Sequence, residues 1–322
     1  MTLILVAILA LAVVELLVFL KPRLEFSHQL LRRTVLGSAA ATGIDCASAV
    51  LMEDLNKDSG IDFLEEAWTR EIDYQLDGIL VTVQIKDEER KFPISYIASN
   101  AGLLEEQGVQ DPPGLVAFRE LLTQSGISSE QWKDEACDSL ADWIDANDRP
   151  RSQGAEDDYY GIFGYQPRNA LPMTLGELKY VKGFCDGKSE RTEVTKVVFP
   201  FLSTFSKQIN LNTASPEVLE SMLESVFGSG PGSDISSLIL SKRRIKPIDN
   251  GELAQILPRG YTKLIYGHFT VKSSFFSVWS TAVDESGRQE SVYAVLKRDE
   301  KKNRVIYWNQ ISSGSQPLPG RE

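Results

Sequence analysis

The first twenty residues, MTLILVAILALAVVELLVFL, form an apolar run interrupted only by Glu15. At 1.5 Å per residue a helix of that length spans about 30 Å, the thickness of a bilayer's hydrocarbon core. A cleaved secretory signal would need a basic stretch before the run and small residues at a cleavage site after it. The sequence offers neither, so the run reads as a membrane anchor. Lys21, Arg23, Arg32 and Arg33 follow the span, and no basic residue precedes it. On the positive-inside rule this would hold the rest of the chain in the cytoplasm. A short basic leader ahead of Met1 would remove the conflict and make Met1 the first residue of a processed chain.

Past the span, Leu24, Leu31, Val35, Thr42, Cys46, Ala49 and Val50 recur at close to the spacing of one helical face. The helix is predicted to continue to about residue 56, with Pro22 as a point of kinking. So long a helix is unusual for an anchor alone and predicts a stalk that meets both lipid and protein. Residues 79–85 (ILVTVQI) alternate as a half-buried strand, the DEER at 87–90 supplies a turn, and 92–97 answers as a second strand. Helices are predicted at 112–122 and 128–144, the latter starting near Ser128 and Glu130 with Trp132, Cys137, Leu140, Trp143 and Ile144 on its apolar face. A short capped helix follows at 174–181 with Gly183. Ser215 as N-cap, Pro216 at the first helical position and Glu217 in the first turn start another, and two more lie at 235–244 and 250–256. Strand character returns at 268–283, 289–296 and 304–311, about five antiparallel strands in all. The polar end, 312–322, reads as a disordered tail.

With 45 acidic against 34 basic residues, a net charge of −11 and a pI near 4.9, the chain is a poor match for proteins that grip phosphate backbones. Cys46, Cys137 and Cys185 are too few and too far apart for a disulfide framework or a zinc cluster; at most Cys137 pairs with Cys185. There is no G-x-S-x-G elbow and no GxxxxGK[ST] loop, and the histidines are His28 in the stalk and His268 at a strand start. No catalytic residue is assigned, and the chain is not expected to be an enzyme.

Two constellations remain. The stretch at 140–161, LADWIDANDRPRSQGAEDDYYG, sets Asp142, Asp145, Asp148, Glu156, Asp157 and Asp158 against only Arg149 and Arg151. Such a density of like charge is costly unless each carboxylate stays solvated or a hard cation neutralises the group. Calcium takes about six to eight oxygens from flexible, turn-forming segments. The residues alone leave open a calcium site, a solvated acidic loop, or a glycosidase-type carboxylate pair, although no EF-hand register and no sign of a sugar cleft is present. The second constellation is GSGPG at 228–232 between two helices, similar to a helix-hairpin-helix in which backbone amides meet phosphate. Lys242, Arg243, Arg244 and Lys246 would be its basic edge, against the acidic balance of the chain.

SLADWIDANDRP, then GAEDDYY, then PRNALPMTLGELKYVKGF, then INLNTASPEVLESML stand in that order along the chain. In sequence and spacing they resemble the minor pseudopilin K of the type II secretion pathway. The resemblance implies an α+β pseudopilin fold: a long N-terminal helix on an antiparallel sheet with a large inserted α-helical domain. The expected divisions are a membrane part at 1–20, pseudopilin core at 21–98, helical insert at 99–267, core strands at 268–311 and tail at 312–322. It implies calcium held in the insert by Asp145, Asp148, Glu156, Asp157 and Asp158, with Asp142 beside them. It further implies that prepilin peptidase trims the chain at Met1, which is then methylated. Most pseudopilins carry a glutamate at the fifth mature position, thought to meet a neighbour's amine; here that residue is Leu5. A tip subunit has no neighbour above to neutralise such a charge in lipid, so its loss there is physically sensible. The implied role is an inner-membrane, single-pass subunit with its bulk in the periplasm, which starts pseudopilus assembly and supports export of folded proteins across the outer membrane. Its partners would be minor pseudopilins I and J and other components of the pathway, met through Leu24, Leu31, Val35 and Thr42. No nucleic acid partner is expected. The alternative is an anchored, competence-type DNA receptor using the 209–257 helices.

Overall fold

The computed structural model describes residues 2–57, 60–98, 112–184, 192–256 and 267–312. Helix α1 (Thr2–Lys57) is continuous over 56 residues and runs through Pro22. Among the described residues it is the one helix long and apolar enough to cross a membrane. The side chains described in its first half are exposed, whereas Leu36, Ala39, Ala40, Ile44, Ala47 and Leu51 of the second half are buried on the sheet. This corrects the sequence reading of the helix face, because Val35, Thr42 and Ala49 are exposed rather than part of the buried stripe. The buried stripe is made of small residues that let the sheet approach. A Cβ on Gly43 would come within 2.8 Å of a Val83 methyl and overlap Ser280.

A 3-10 turn (Ala67–Thr69) buries Trp68 and leads into β1 (Ile72–Leu76) and β2 (Ile79–Asp87). These two pair antiparallel across Asp77 and Gly78, at φ +49° and +79°, so the turn is a tight Asp-Gly hairpin of the kind that favours positive φ at both positions. The predicted pairing of 79–85 with 92–97 is therefore wrong. Phe92–Pro93 forms β3, which pairs parallel with a distant strand, and Ser95–Ala98 is a helical turn, α2. Pro93 lacks the amide a ladder requires, and the stronger Asp-Gly signal lay upstream.

The chain continues through α3 (Pro113–Gln124), α4 (Glu130–Ile144), α5 (Asp157–Tyr160), 3-10 turns at Gly161–Phe163 and Leu175–Tyr180, and α6 (Thr192–Val198). There follow β4 (Leu202–Ser203), β5 (Ile209–Asn210), α7 (Pro216–Phe227), α8 (Pro231–Arg243), α9 (Asn250–Ile256) and β6 (Phe269–Thr270). The predicted cap at Ser215 forms, its Oγ accepting the Val218 amide at 3.3 Å, and the helix expected to start near Ser128 and Glu130 is capped by Ser129, whose Oγ accepts the Trp132 amide at 3.3 Å. The last strands are β7 (Phe275–Val283), β8 (Gln289–Arg298) and β9 (Asn303–Ser312). The long strand expected at 268–283 is in fact β6 and β7, which belong to different sheets.

The main sheet has the order β1-β2-β7-β8-β9 and is antiparallel throughout. Because β2 lies directly beside β7, everything between them leaves and re-enters the sheet at one place. Two apolar cores result. One joins α1 to Val81, Val83, Phe276, Val278 and Val292 of the sheet; the other, around Phe92, Phe118, Trp132, Leu140, Phe184 and Leu219, lies in the helical part.

Candidate functional site

The acidic loop is anchored on α4. Asp142, in its last turn, is fully buried and accepts the Arg151 amide at 3.1 Å and the Ala155 amide at 2.8 Å on Oδ2. Asp138, one turn earlier and missed in the sequence reading, accepts the Gln153 amide at 2.9 Å and pairs with Arg151 Nε at 3.1 Å. Their spacing of four on one helix was the available signal. Together the two carboxylates fold 151–155 back on the helix. Gly154 is required there, since a Cβ would overlap the Asp142 carboxylate.

Asp145 terminates α4 and accepts the Asn147 amide at 3.0 Å and its side-chain amide at 2.8 Å. Asp157 accepts Gln166 Nε2 at 3.2 Å; Asp148 and Asp158 are exposed. Glu156 is the exceptional member: it is 5% exposed, and neither of its carboxylate oxygens has a hydrogen-bond partner. Burial first, then the charges of Asp142, Asp145, Asp148 and Asp157, push its pKa up to about 7. Burial also raises Asp142 to about 7, against the lowering effect of the two amides. A buried carboxylate that nothing donates to, facing four more, is the environment a hard cation stabilises. The loop thus fits calcium by the chemistry of its donors.

The three carboxylates drawn within 4.8 Å of one another among the described residues lie elsewhere, at Asp54, Asp62 and Glu66. Arg298 fills that position, its Nη1 3.1 Å from Asp54 and its Nη2 2.6 Å from Asp62 Oδ1. Glu66 accepts the Phe63 amide at 2.9 Å and Trp68 Nε1 at 2.8 Å. A guanidinium already supplies the cation there.

On the stalk, Leu24, Leu31 and Val35 are exposed. Thr42 donates to the Ala39 carbonyl at 2.7 Å and meets the Tyr74 hydroxyl at 2.8 Å, which ties it to β1. Met1, Cys185 and the side chain of Leu5 lie outside the described residues, so the processed N-terminus, the Cys137–Cys185 pairing and the fifth-position side chain do too.

The helix-hairpin-helix reading finds no support in the geometry. Arg243 Nη1 is committed to the Leu211 and Ala214 carbonyls at 2.8 and 2.7 Å, and the Gly232 amide donates to Gly228 at 2.9 Å. Gly232 is a packing glycine, its Cβ position 2.6 Å from the Glu224 nitrogen. His268 lies against Tyr96, ring centroids 4.4 Å apart.

The family model for type II secretion system protein K matches residues 97–194, the interval that holds the acidic loop. The chain is 27% identical over 292 residues to the type II secretion system protein K of Pseudomonas aeruginosa, covering 87% of this chain and 81% of that protein. The chain is thus similar to type II secretion system protein K along most of its length. A further relative is the putative type II secretion system protein K of Escherichia coli K12, 32% identical over 170 residues, 52% of this chain and 50% of that one. The crystal structure of the GspK-GspI-GspJ complex from the enterotoxigenic Escherichia coli type 2 secretion system contains a chain that superposes with a TM-score of 0.67 at 16% identity. That match spans 90% of this chain and 99% of the other, and it establishes the protein K fold here.

Proposed function

We propose that the chain is a minor pseudopilin that is anchored in the inner membrane by α1, holds its bulk in the periplasm, and starts pseudopilus assembly from the tip together with minor pseudopilins I and J. In that place it supports the export of folded proteins across the outer membrane. The observation that carries the reading is the asymmetry of α1: its second half is covered by its own sheet, while its first half exposes apolar side chains along its length. Lipid covers the first twenty residues, and partner helices cover Leu24, Leu31 and Val35, where the helix emerges. The related solved complex, named for GspK, GspI and GspJ, supports this choice of partners. Leu5, apolar within the proposed membrane segment, brings no charge that a neighbour above would have to neutralise.

Calcium is proposed as a resident ion of the acidic loop, held by Glu156 with Asp145, Asp148, Asp157 and Asp158, while Asp142 keeps the loop on α4. The ion would neutralise the clustered carboxylates and hold the loop's shape.

The test is co-purification of the full chain, extracted in detergent, with partners I and J. Leu31→Asp with Val35→Asp is expected to lower recovery of the complex about tenfold by burying unpaired charge. Leu238→Asp, on exposed α8, serves as the control and is expected to change nothing. Full recovery of the complex by the stalk variant would overturn the proposal.

A further inference from the structure

Strand β9 is an edge of the main sheet and ten residues long. A free edge offers unpaired amides and carbonyls to any extended chain, and soluble proteins usually blunt such edges with charge or proline. Here residues 305–312, VIYWNQIS, contain neither charge, proline nor glycine. Val305, Ile306 and Trp308 are 51%, 43% and 45% exposed. An uncharged, β-branched and aromatic edge of this kind is a template for pairing.

Two cavities open on opposite faces of the sheet at this same edge. On the face away from α1, a cleft of 420 Å³ lies between the sheet and the helical part. Its wall is a row of rings, Tyr293 to Tyr307 at 5.9 Å and Tyr307 to Phe205 at 5.7 Å between centroids. The acids lining it are already engaged: Glu88 pairs with Lys91 at 2.6 Å, and Glu177 accepts the Met173 amide at 3.1 Å and faces Arg168 at 3.5 Å. Lys179, exposed at the cleft, has no carboxylate within 4 Å among the described residues. On the other face a groove of 560 Å³ runs between α1 and β9, lined by Leu30, Gly37, Ala41 and Trp308 with Thr34, Ser38 and Gln310 among them and with Arg33, which is paired with Glu290 at 3.0 Å.

We propose that β9 and these two cavities form a binding site for an extended strand of another polypeptide, added to the sheet beyond β9. Side chains of an added strand alternate between faces, so one set enters the tyrosine cleft and the next enters the groove beside α1. The cleft selects an aromatic side chain stacked on the rings with a carboxylate near Lys179. The groove beside α1, where Gly37 and Ala41 leave room next to Leu30 and Trp308, takes small or aliphatic residues. A second copy of β9 does not match, because residues 305–312 bring no carboxylate to Lys179. The occupant is therefore a different chain, with an acidic-aromatic face.

The full chain in detergent can be titrated with a fluorescent peptide of about ten residues, a usual strand length, in which valine and threonine alternate with tyrosine and aspartate. Saturable binding is expected, with slower amide exchange along 303–312. Lys179→Glu should weaken it about tenfold and should gain binding of the same peptide carrying lysine for aspartate. Methylating every second peptide amide should weaken binding to a similar degree. Absence of saturable binding, indifference to Lys179→Glu or to amide methylation, or self-association through β9 that the peptide fails to displace would each overturn the proposal.

Discussion

Glu89 is buried at the junction of the sheet and the helical part and accepts the Ser274 amide at 3.0 Å. Burial, then the charge of Asp87, push its pKa up to about 9, with Asp62 raising it further and Arg298 opposing. Asp87, on the same turn, accepts Ser273 Oγ at 2.6 Å and also Thr213 Oγ1; burial still raises it to about 6. Both groups hold a proton more tightly folded than unfolded. Their contribution to stability is therefore fully present below about pH 4 and lost as pH rises, through about 6 for Asp87 and about 9 for Glu89. Thermal unfolding followed across pH should show a midpoint that falls between about pH 7 and 9.5, and Glu89→Gln should flatten that limb and be the more stable protein at its alkaline end. Superimposable profiles for the two proteins would refute the assignment. Hydropathy carries no sign of this, since DEER between two lysines reads as a surface turn.

Among the elements, α1 and the acidic loop show opposite degrees of legibility. The length of α1 and its apolar first half follow from hydropathy, because a leucine-, valine- and isoleucine-rich run of that length has the composition of a bilayer-spanning helix. Its sheet-facing stripe does not, because Ala39, Ala40, Gly43 and Ala47 are chosen for closeness and carry weak periodic signal. The acidic loop was conspicuous as charge, but its attachment by Asp138 and Asp142 was visible only once α4 and 151–155 were in contact. The calcium reading makes a prediction at this scale. Chelation should expose 145–158 to protease while α1 and the sheet stay protected, and Glu156→Gln should show that cleavage even with calcium present. Identical cleavage in calcium and in chelator would count decisively against a resident ion.

At the scale of the whole molecule, a buried polar hub joins the sheet to the helical part. Asn210 Nδ2 donates to the Asp62 carbonyl at 3.1 Å and to Ser273 Oγ at 2.8 Å, and the Glu89 carbonyl accepts the Asn210 amide at 2.7 Å. Arg298 closes the hub from β8, donating to the Ser273 carbonyl at 2.7 Å and lying 4.7 Å over the Phe276 ring. Arg298→Met leaves Asp62 buried without its cation, and removal of one partner from such a pair costs about 3–5 kcal/mol. A markedly lower melting temperature is expected, with partial recovery when Asp62→Asn is added. An Arg298→Met protein as stable as the parent would show that the hub does not hold the two parts together.

The sequence by itself determined the apolar N-terminal run, the long helix, the helix cap at Ser215, the return to strands, and the likeness to protein K, because these rest on local hydropathy, local capping chemistry and short motifs in a fixed order. The tertiary structure decided which strand pairs with β2, which face of α1 meets the sheet, that Asp87 and Glu89 are buried, and that an arginine fills the carboxylate group at Asp54, Asp62 and Glu66. Each of those depends on residues brought together across long stretches of chain, where burial and pairing set a side chain's energy and its neighbours in sequence say little about either.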